Sequence, residues 1–324
     1  MERAARRNLP RPKSLFLFAL LVLVFVGACS PRPEGADDGA PVPSIADAAA
    51  TDEHLGSPPA LILISLDGFR WDYQQLTDTP HLDALAARGV QAESLIPVFP
   101  SKTFPSHYSI VTGLRPAEHG IVSNNMRDPA WEGDFRIGTD ELVKGRWWGG
   151  EPIWTTANNN GLVTASYFWP GSDVLINGDR PRYFYPYDGS VSYEQRVDQV
   201  LAWLELPAAE RPSFITLYFS DPNDTSHDVG PEAPAALVAV RRVDAMVGRL
   251  VQGLEDRGLL MSTNIVVTSD HGMASMDPER DILLDDFVEF LPGEVFAGRV
   301  SQPAGTAASP IRRETLRPGP AEYG

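Results

Sequence analysis

The chain has one cysteine in 324 residues, Cys29, so no intramolecular disulfide can form. Basic residues are scarce: 27 Lys and Arg stand against 43 Asp and Glu, a formal net charge of −16. A general nucleic-acid binder needs a basic footprint, and none is expected here. No glycine-rich phosphate loop and no dinucleotide fingerprint occurs, which excludes the common nucleotide-cradling devices. The longest apolar run, Ser14 to Val26, is short for a membrane span.

The run from Ser14 nonetheless has a purpose. Arg3, Arg6, Arg7, Arg11 and Lys13 precede it, and Val26-Gly27-Ala28-Cys29 closes it. A basic region, an apolar core and small residues before a cysteine describe a processed leader resembling a bacterial lipobox. Cys29 is thus the candidate lipidation site, and the mature protein is expected to be lipid-anchored in the bacterial cell envelope, facing the periplasm or exterior. Residues 29–58, rich in Pro, Gly, Ala and Asp, read as a flexible linker. A catalytic-type domain is expected over 59–298. Residues 299–324 lack apolar periodicity and read as an atypical tail, as if the domain were truncated at its C-terminus.

What the folded part does have is a repeated pattern: an apolar strand, then acid or histidine, then an amphipathic helix. Ala60 to Leu66 is continuously apolar, which suits a strand buried on both faces of a parallel sheet, and it runs into Asp67-Gly68. Phe214 to Phe219 runs into Asp221, Asn223, Asp224 and His227, and Asn264 to Thr268 runs into Asp270-His271. Further strands are expected over Val90 to Val98 and Val163 to Phe168. Helices are expected from Thr79 to Gly89, Ser192 to Leu204 and Ala233 to Leu254. Alternation of this kind implies an α/β fold with a mostly parallel central sheet flanked by helices. Ligands in such sheets collect at the carboxyl ends of strands, and carboxylate oxygens with imidazole nitrogens suit zinc.

Between the first strand and the later clusters lies Pro100-Ser101-Lys102-Thr103-Phe104-Pro105. Proline is tolerated in a first helical turn, and Gly113 suits a helix stop. Thr103 is therefore expected, exposed, at a helix N-terminus, where free N–H groups and the dipole favour anions. Asn124 could donate its amide to an oxyanion. Tyr183, Phe184, Tyr185 and Tyr187 form an aromatic patch, mostly on a loop, able either to pack under that loop or to face a flat group.

Several of these stretches together resemble the nucleotide pyrophosphatase/phosphodiesterase family, type I phosphodiesterases of the alkaline phosphatase superfamily. The matching text is Leu66-Asp67-Gly68-Phe69-Arg70, Phe99 to Pro105, His119-Gly120-Ile121, Phe168 to Ser172, Gly230-Pro231 and Ser269 to Met273. The resemblance implies an alkaline-phosphatase-like fold and two zinc ions. It implies that Asp67, Thr103, Asp270 and His271 hold one ion, and that Thr103 attacks phosphorus to form a phospho-threonine intermediate. It implies that Asn124 holds a non-bridging oxygen, and that Phe104 and Tyr187 sandwich the base of a nucleotide or other phosphodiester substrate. His227 belongs to the second ion's site. There the chain departs from the family pattern: Asn223 stands four residues before His227 where an aspartate is usual, Asp224 is one place later, Ser226 replaces glycine, and no His follows His271. Three readings follow: an active envelope phosphodiesterase, a degenerate anchored relative with one ion site lost, or a superfamily neighbour acting on monoesters or sulfate esters.

Overall fold

The computed structural model of the protein describes residues 59–277. Cys29, the linker, residues 278–298 and the tail lie outside the described residues. Five strands form one parallel sheet in the order β3-β2-β4-β1-β5. They are β1 (Ala60–Leu66), β2 (Thr164–Tyr167), β3 (Tyr183–Phe184), β4 (Phe214–Phe219) and β5 (Thr263–Thr268). The helices are α1 (Tyr73–Leu76), α2 (Pro80–Arg88), α3 (Thr103–Thr112), α4 (Pro116–His119), α5 (Ile153–Asn159), α6 (Tyr193–Leu204), α7 (Asn223–Val229) and α8 (Pro234–Asp256). The architecture is therefore α/β with a parallel sheet flanked by helices.

β1 is central, paired with β4 on one side and β5 on the other, and its side chains divide by alternation. Ile62 and Ile64 face a core built with α6 and α8 through Val197, Val200, Leu201, Val243, Val247 and Leu250. Leu61 and Leu63 face a second core made of Phe104, Tyr108, Phe135, Trp147, Trp148, Trp154 and Trp169. Each fully buried aliphatic side chain contributes about 1.5–3 kcal/mol, so a strand apolar on both faces is strongly held at the centre. α6 begins with a capping box: Ser192 Oγ accepts from the Gln195 N–H and Gln195 Oε1 accepts from the Ser192 N–H.

Three expectations are corrected. Residues Val90 to Val98 form no strand; Val90 and Ile96 are 101% and 88% exposed. The run lies on the surface, and none of the five strands of the described sheet pairs with it. The aromatic patch is not all loop, because Tyr183 and Phe184 pair with Ala165 and Ser166 as a short edge strand. Thr103 is not exposed: it is half-buried as the first helical residue of α3, and Lys102 takes the N-cap.

A candidate metal centre at the sheet's carboxyl edge

Register decides which loops meet. Leu66 sits opposite Phe219 and Ser65 opposite Thr268, so the residues following β1, β4 and β5 emerge together. Asp67 and Asp270, separated by most of the described chain, are both buried there. Tyr218 donates its hydroxyl to Asp67 Oδ2 at 2.7 Å, and the Gly68 N–H donates to Asp270 Oδ1 at 3.1 Å. The other oxygen of each carboxylate, Asp67 Oδ1 and Asp270 Oδ2, is buried without a hydrogen-bond partner. His271 Nε2 lies 3.7 Å from the first and 3.1 Å from the second.

The tautomer of His271 sharpens this. Its Nδ1 is 2.8 Å from the Gly272 carbonyl, which only accepts, so Nδ1 carries the proton. In the neutral ring the Nε2 lone pair then faces two carboxylate oxygens. Three electron-rich atoms converging without a donor among them is unfavourable unless a cation lies between. Burial, followed by the charge of Asp270, pushes the Asp67 carboxyl well above the usual carboxylate range. Burial acts upward on Asp270 too, but His107 and His271 outweigh it and hold this carboxyl below its ordinary value. Two carboxylates and an imidazole nitrogen form a donor set that fits a divalent cation such as zinc.

His107, on α3, was not singled out in the sequence. Its ligand atom lies with those of Asp67 and Asp270 within 4.8 Å of one another, yet both ring nitrogens are engaged. Nε2 is 2.8 Å from Ser65 Oγ, and Nδ1 is 2.8 Å from the Thr103 carbonyl and 3.3 Å from Asp270 Oδ2. A pointer to it existed: His107 stands four residues after Thr103, on the same face of a helix.

At the start of α3, Asn124 Oδ1 accepts the Phe104 N–H at 2.9 Å, which leaves the Asn124 amide free to donate elsewhere. The Phe104 ring is buried, edge-on to Phe135 and Trp148. Tyr187 is half exposed, 51%, with its ring against Phe168 and Tyr218. Burial, then the charge of Asp224, raises its hydroxyl pKa, so it borders the acidic edge.

α7 brings the remaining candidates alongside. Asn223 is buried, its N–H donates to the Asp67 carbonyl at 3.0 Å, and its Oδ1 is a further buried oxygen without a partner. The approach is close: Gly68 has φ +69°, and a Cβ added there would come within 2.9 Å of Asn223 Cβ. Only glycine suits that turn. Asp224 is exposed and accepts from Asn223 Nδ2 at 3.3 Å. His227 is half-buried, and burial lowers its pKa, with Asp224 opposing and His271 adding to the effect. Asp67, Asn223, His227, Asp270 and His271 are thus gathered at one edge.

Comparison with known proteins gives the family. A family model described as type I phosphodiesterase / nucleotide pyrophosphatase matches residues 61–317. Ectonucleotide pyrophosphatase/phosphodiesterase family member 3 of Rattus norvegicus is 41% identical over 253 residues, 76% of this chain and 29% of that protein. Family member 1 of Homo sapiens is 44% identical over 234 residues, 72% of this chain and 25% of that protein. A venom phosphodiesterase of Macrovipera lebetinus is 41% identical over 231 residues, 71% and 27%. Among solved structures, murine ectonucleotide pyrophosphatase/phosphodiesterase 5, in an inactive threonine-to-alanine form in complex with AMP, superposes with a TM-score of 0.67 at 36% identity, covering 72% of this chain and 63% of that one. The match therefore spans less than a third of the length of these curated relatives.

Proposed function

The chain belongs to the type I phosphodiesterase / nucleotide pyrophosphatase family, and from that premise we propose that it hydrolyses phosphodiester or pyrophosphate bonds of nucleotides with Thr103 as nucleophile. The observation that carries the reading is the set of unpartnered buried oxygens, Asp67 Oδ1 and Asp270 Oδ2, around His271 Nε2. Asp67, Asp270 and His271 would hold a divalent cation, taken to be zinc, with Thr103 completing the set. Such an ion, when bound, supplies positive charge that favours the alkoxide of a nearby hydroxyl and offsets charge on phosphate.

The chain's own groups account for the remaining chemistry. Thr103 Oγ1 forms a bond to phosphorus as the bond to the leaving oxygen breaks, giving a phospho-threonine ester. Water then adds to phosphorus, Oγ1 leaves, and Thr103 regains its proton from solvent. The Asn124 amide and the Thr103 N–H at the start of α3 are donors for a non-bridging oxygen. Tyr187, with its half-exposed ring, and Phe104 are the residues assigned to the base. AMP bound to the murine relative supports a nucleotide substrate, and the threonine substitution in its inactive form supports a threonine nucleophile.

Thr103→Ala should lower hydrolysis of a nitrophenyl nucleotide diester by roughly three orders of magnitude or more, because the covalent route is lost. Its metal content should stay within reach of the parent's. Near-full turnover by this variant in zinc-replete buffer would overturn the assignment. Asn223 favours a narrower form of the reading. An amide holds zinc less well than a carboxylate, so about one tightly bound ion per chain and slow turnover are expected when metal and activity are measured together.

Envelope anchoring belongs to the same proposal and rests on the Val26-Gly27-Ala28-Cys29 junction. Cys29→Ala should leave the protein unprocessed or release it from membranes. Normal processing with unchanged membrane association would count against a lipid at Cys29.

A further inference from the structure

His107 is fully buried beside the Asp270 carboxylate, and nothing in the proposed reaction uses it. The Thr103 carbonyl, 2.8 Å from Nδ1, only accepts, so Nδ1 carries a proton and donates it there, with Asp270 Oδ2 close by at 3.3 Å from the same nitrogen. In the neutral ring Nε2 then accepts from the Ser65 hydroxyl at 2.8 Å. Ser65 lies on β1, one strand residue before Leu66 and two before Asp67. The ring plane is clamped by Trp169 and Tyr218, edge-on at 4.9 and 5.3 Å. Trp169 Nε1 also donates to the His107 carbonyl at 3.1 Å.

The order Ser65, His107, Asp270 looks like a nucleophilic triad, but that role is closed to it. Ser65 and His107 have no exposed surface, so no ester can reach the hydroxyl. Nor is His107 placed as a ligand, because both its nitrogens already have protein partners. What the ring does touch is the backbone carbonyl of the proposed nucleophile and a carboxylate of the cation site. A single rigid imidazole therefore joins β1, the first turn of α3 and the loop after β5.

We propose that His107 is a positioning residue: its ring, oriented by Ser65 and tied through Nδ1–H to the first turn of α3, packs against the Asp270 carboxylate and so sets the distance between Thr103 and the bound cation. The inference rests on the proposed reading of Thr103 and the carboxylates. Partners that orient a ligand in this way change metal affinity by about 10–100-fold when removed.

The test is a ladder of cobalt(II) and zinc(II) affinities with the cobalt absorption spectrum as a second readout, on the full chain. Asn places an amide N–H where Nδ1 stands, so His107→Asn should bind cobalt within about threefold of the parent and give an unchanged spectrum. His107→Leu keeps bulk but has no donor, and should bind about 10–100-fold more weakly. Ser65→Ala, milder and safe for folding, should fall between them. Turnover should follow in kcat more than in KM, with His107→Asn restoring most of what His107→Leu loses. A changed cobalt spectrum in His107→Asn would make His107 a ligand and overturn the proposal. Parent-like affinity and kcat in Ser65→Ala and His107→Leu would overturn it too. The ladder is read on the ion alone. A chain that shows it but keeps full activity as Thr103→Ala refutes the nucleophile and leaves the relay to Asp270 standing. A parent chain that binds neither ion refutes both.

Discussion

Two buried histidines on neighbouring helices, His107 on α3 and His119 at the end of α4, have the same chemistry and opposite surroundings. Neither has exposed surface. His119 accepts the Ile121 N–H on Nδ1 at 3.1 Å, so its proton is on Nε2, 2.9 Å from Ser109 Oγ. Its ring is edge-on to Tyr108 at 4.9 Å, and no carboxylate touches it. His107 carries its proton on the other nitrogen and borders Asp270, whose outer oxygen has no hydrogen-bond partner. The first region is a closed account of donors and acceptors. The second leaves acceptors over, which folding alone does not favour. The lesson is that burial does not distinguish a structural histidine from one at a site; the satisfaction of its neighbours does.

The largest break of this contrast comes from removing one surplus carboxylate. Asp67→Asn should lower cobalt or zinc affinity by about 100-fold or more, beyond the effect of losing an outer partner. In chelator it should melt higher than the parent, because a buried like-charged pair is relieved. Calorimetry with and without metal reads both. A variant that binds metal normally, or melts lower without it, would show that the two carboxylates are a stabilising feature of the fold and not a cation site.

A smaller effect sharpens the other side. Burial pushes the His119 pKa down to about 4, against an ordinary 6.5. The unfolded chain therefore binds the extra proton first as pH falls. Stability from this group is fully present above pH 6.5, declines as pH drops from 6.5 toward 4, and is level below that. His119→Asn keeps an acceptor for the Ile121 N–H and has nothing to titrate, so the urea midpoint of its metal-free form should lose less between pH 6.5 and 4.5. An identical pH slope in parent and variant would assign the decline to other groups.

Much of this was legible beforehand. The continuous apolar runs of β1 and β4 identified buried parallel strands because a strand covered on both faces needs no alternation. Gly113 marked a helix end because its φ of +68° suits glycine. Other features were hidden for a physical reason. Val90 to Val98 had a strand's composition, but pairing is a long-range choice, and the run lies exposed outside the described sheet. His107 carried only its place four residues after Thr103, and Tyr218 no signal by itself. One reads as a helix residue and the other as a strand residue, until the fold sets the first 3.3 Å from Asp270 and the second 2.7 Å from Asp67.

Residue types and their local spacing by themselves determined the alternating α/β plan and the strand-end acids and histidines, since period and capping are short-range properties of the chain, and the matching stretches carried the resemblance to the family. Only the tertiary structure decided that β4, β1 and β5 lie side by side, because parallel strands need long crossovers and any strand can in principle pair with any other. That pairing puts Asp67 and Asp270 on either side of one imidazole, and it leaves His107 and Asn223 to complete a site whose members are separated by most of the folded chain.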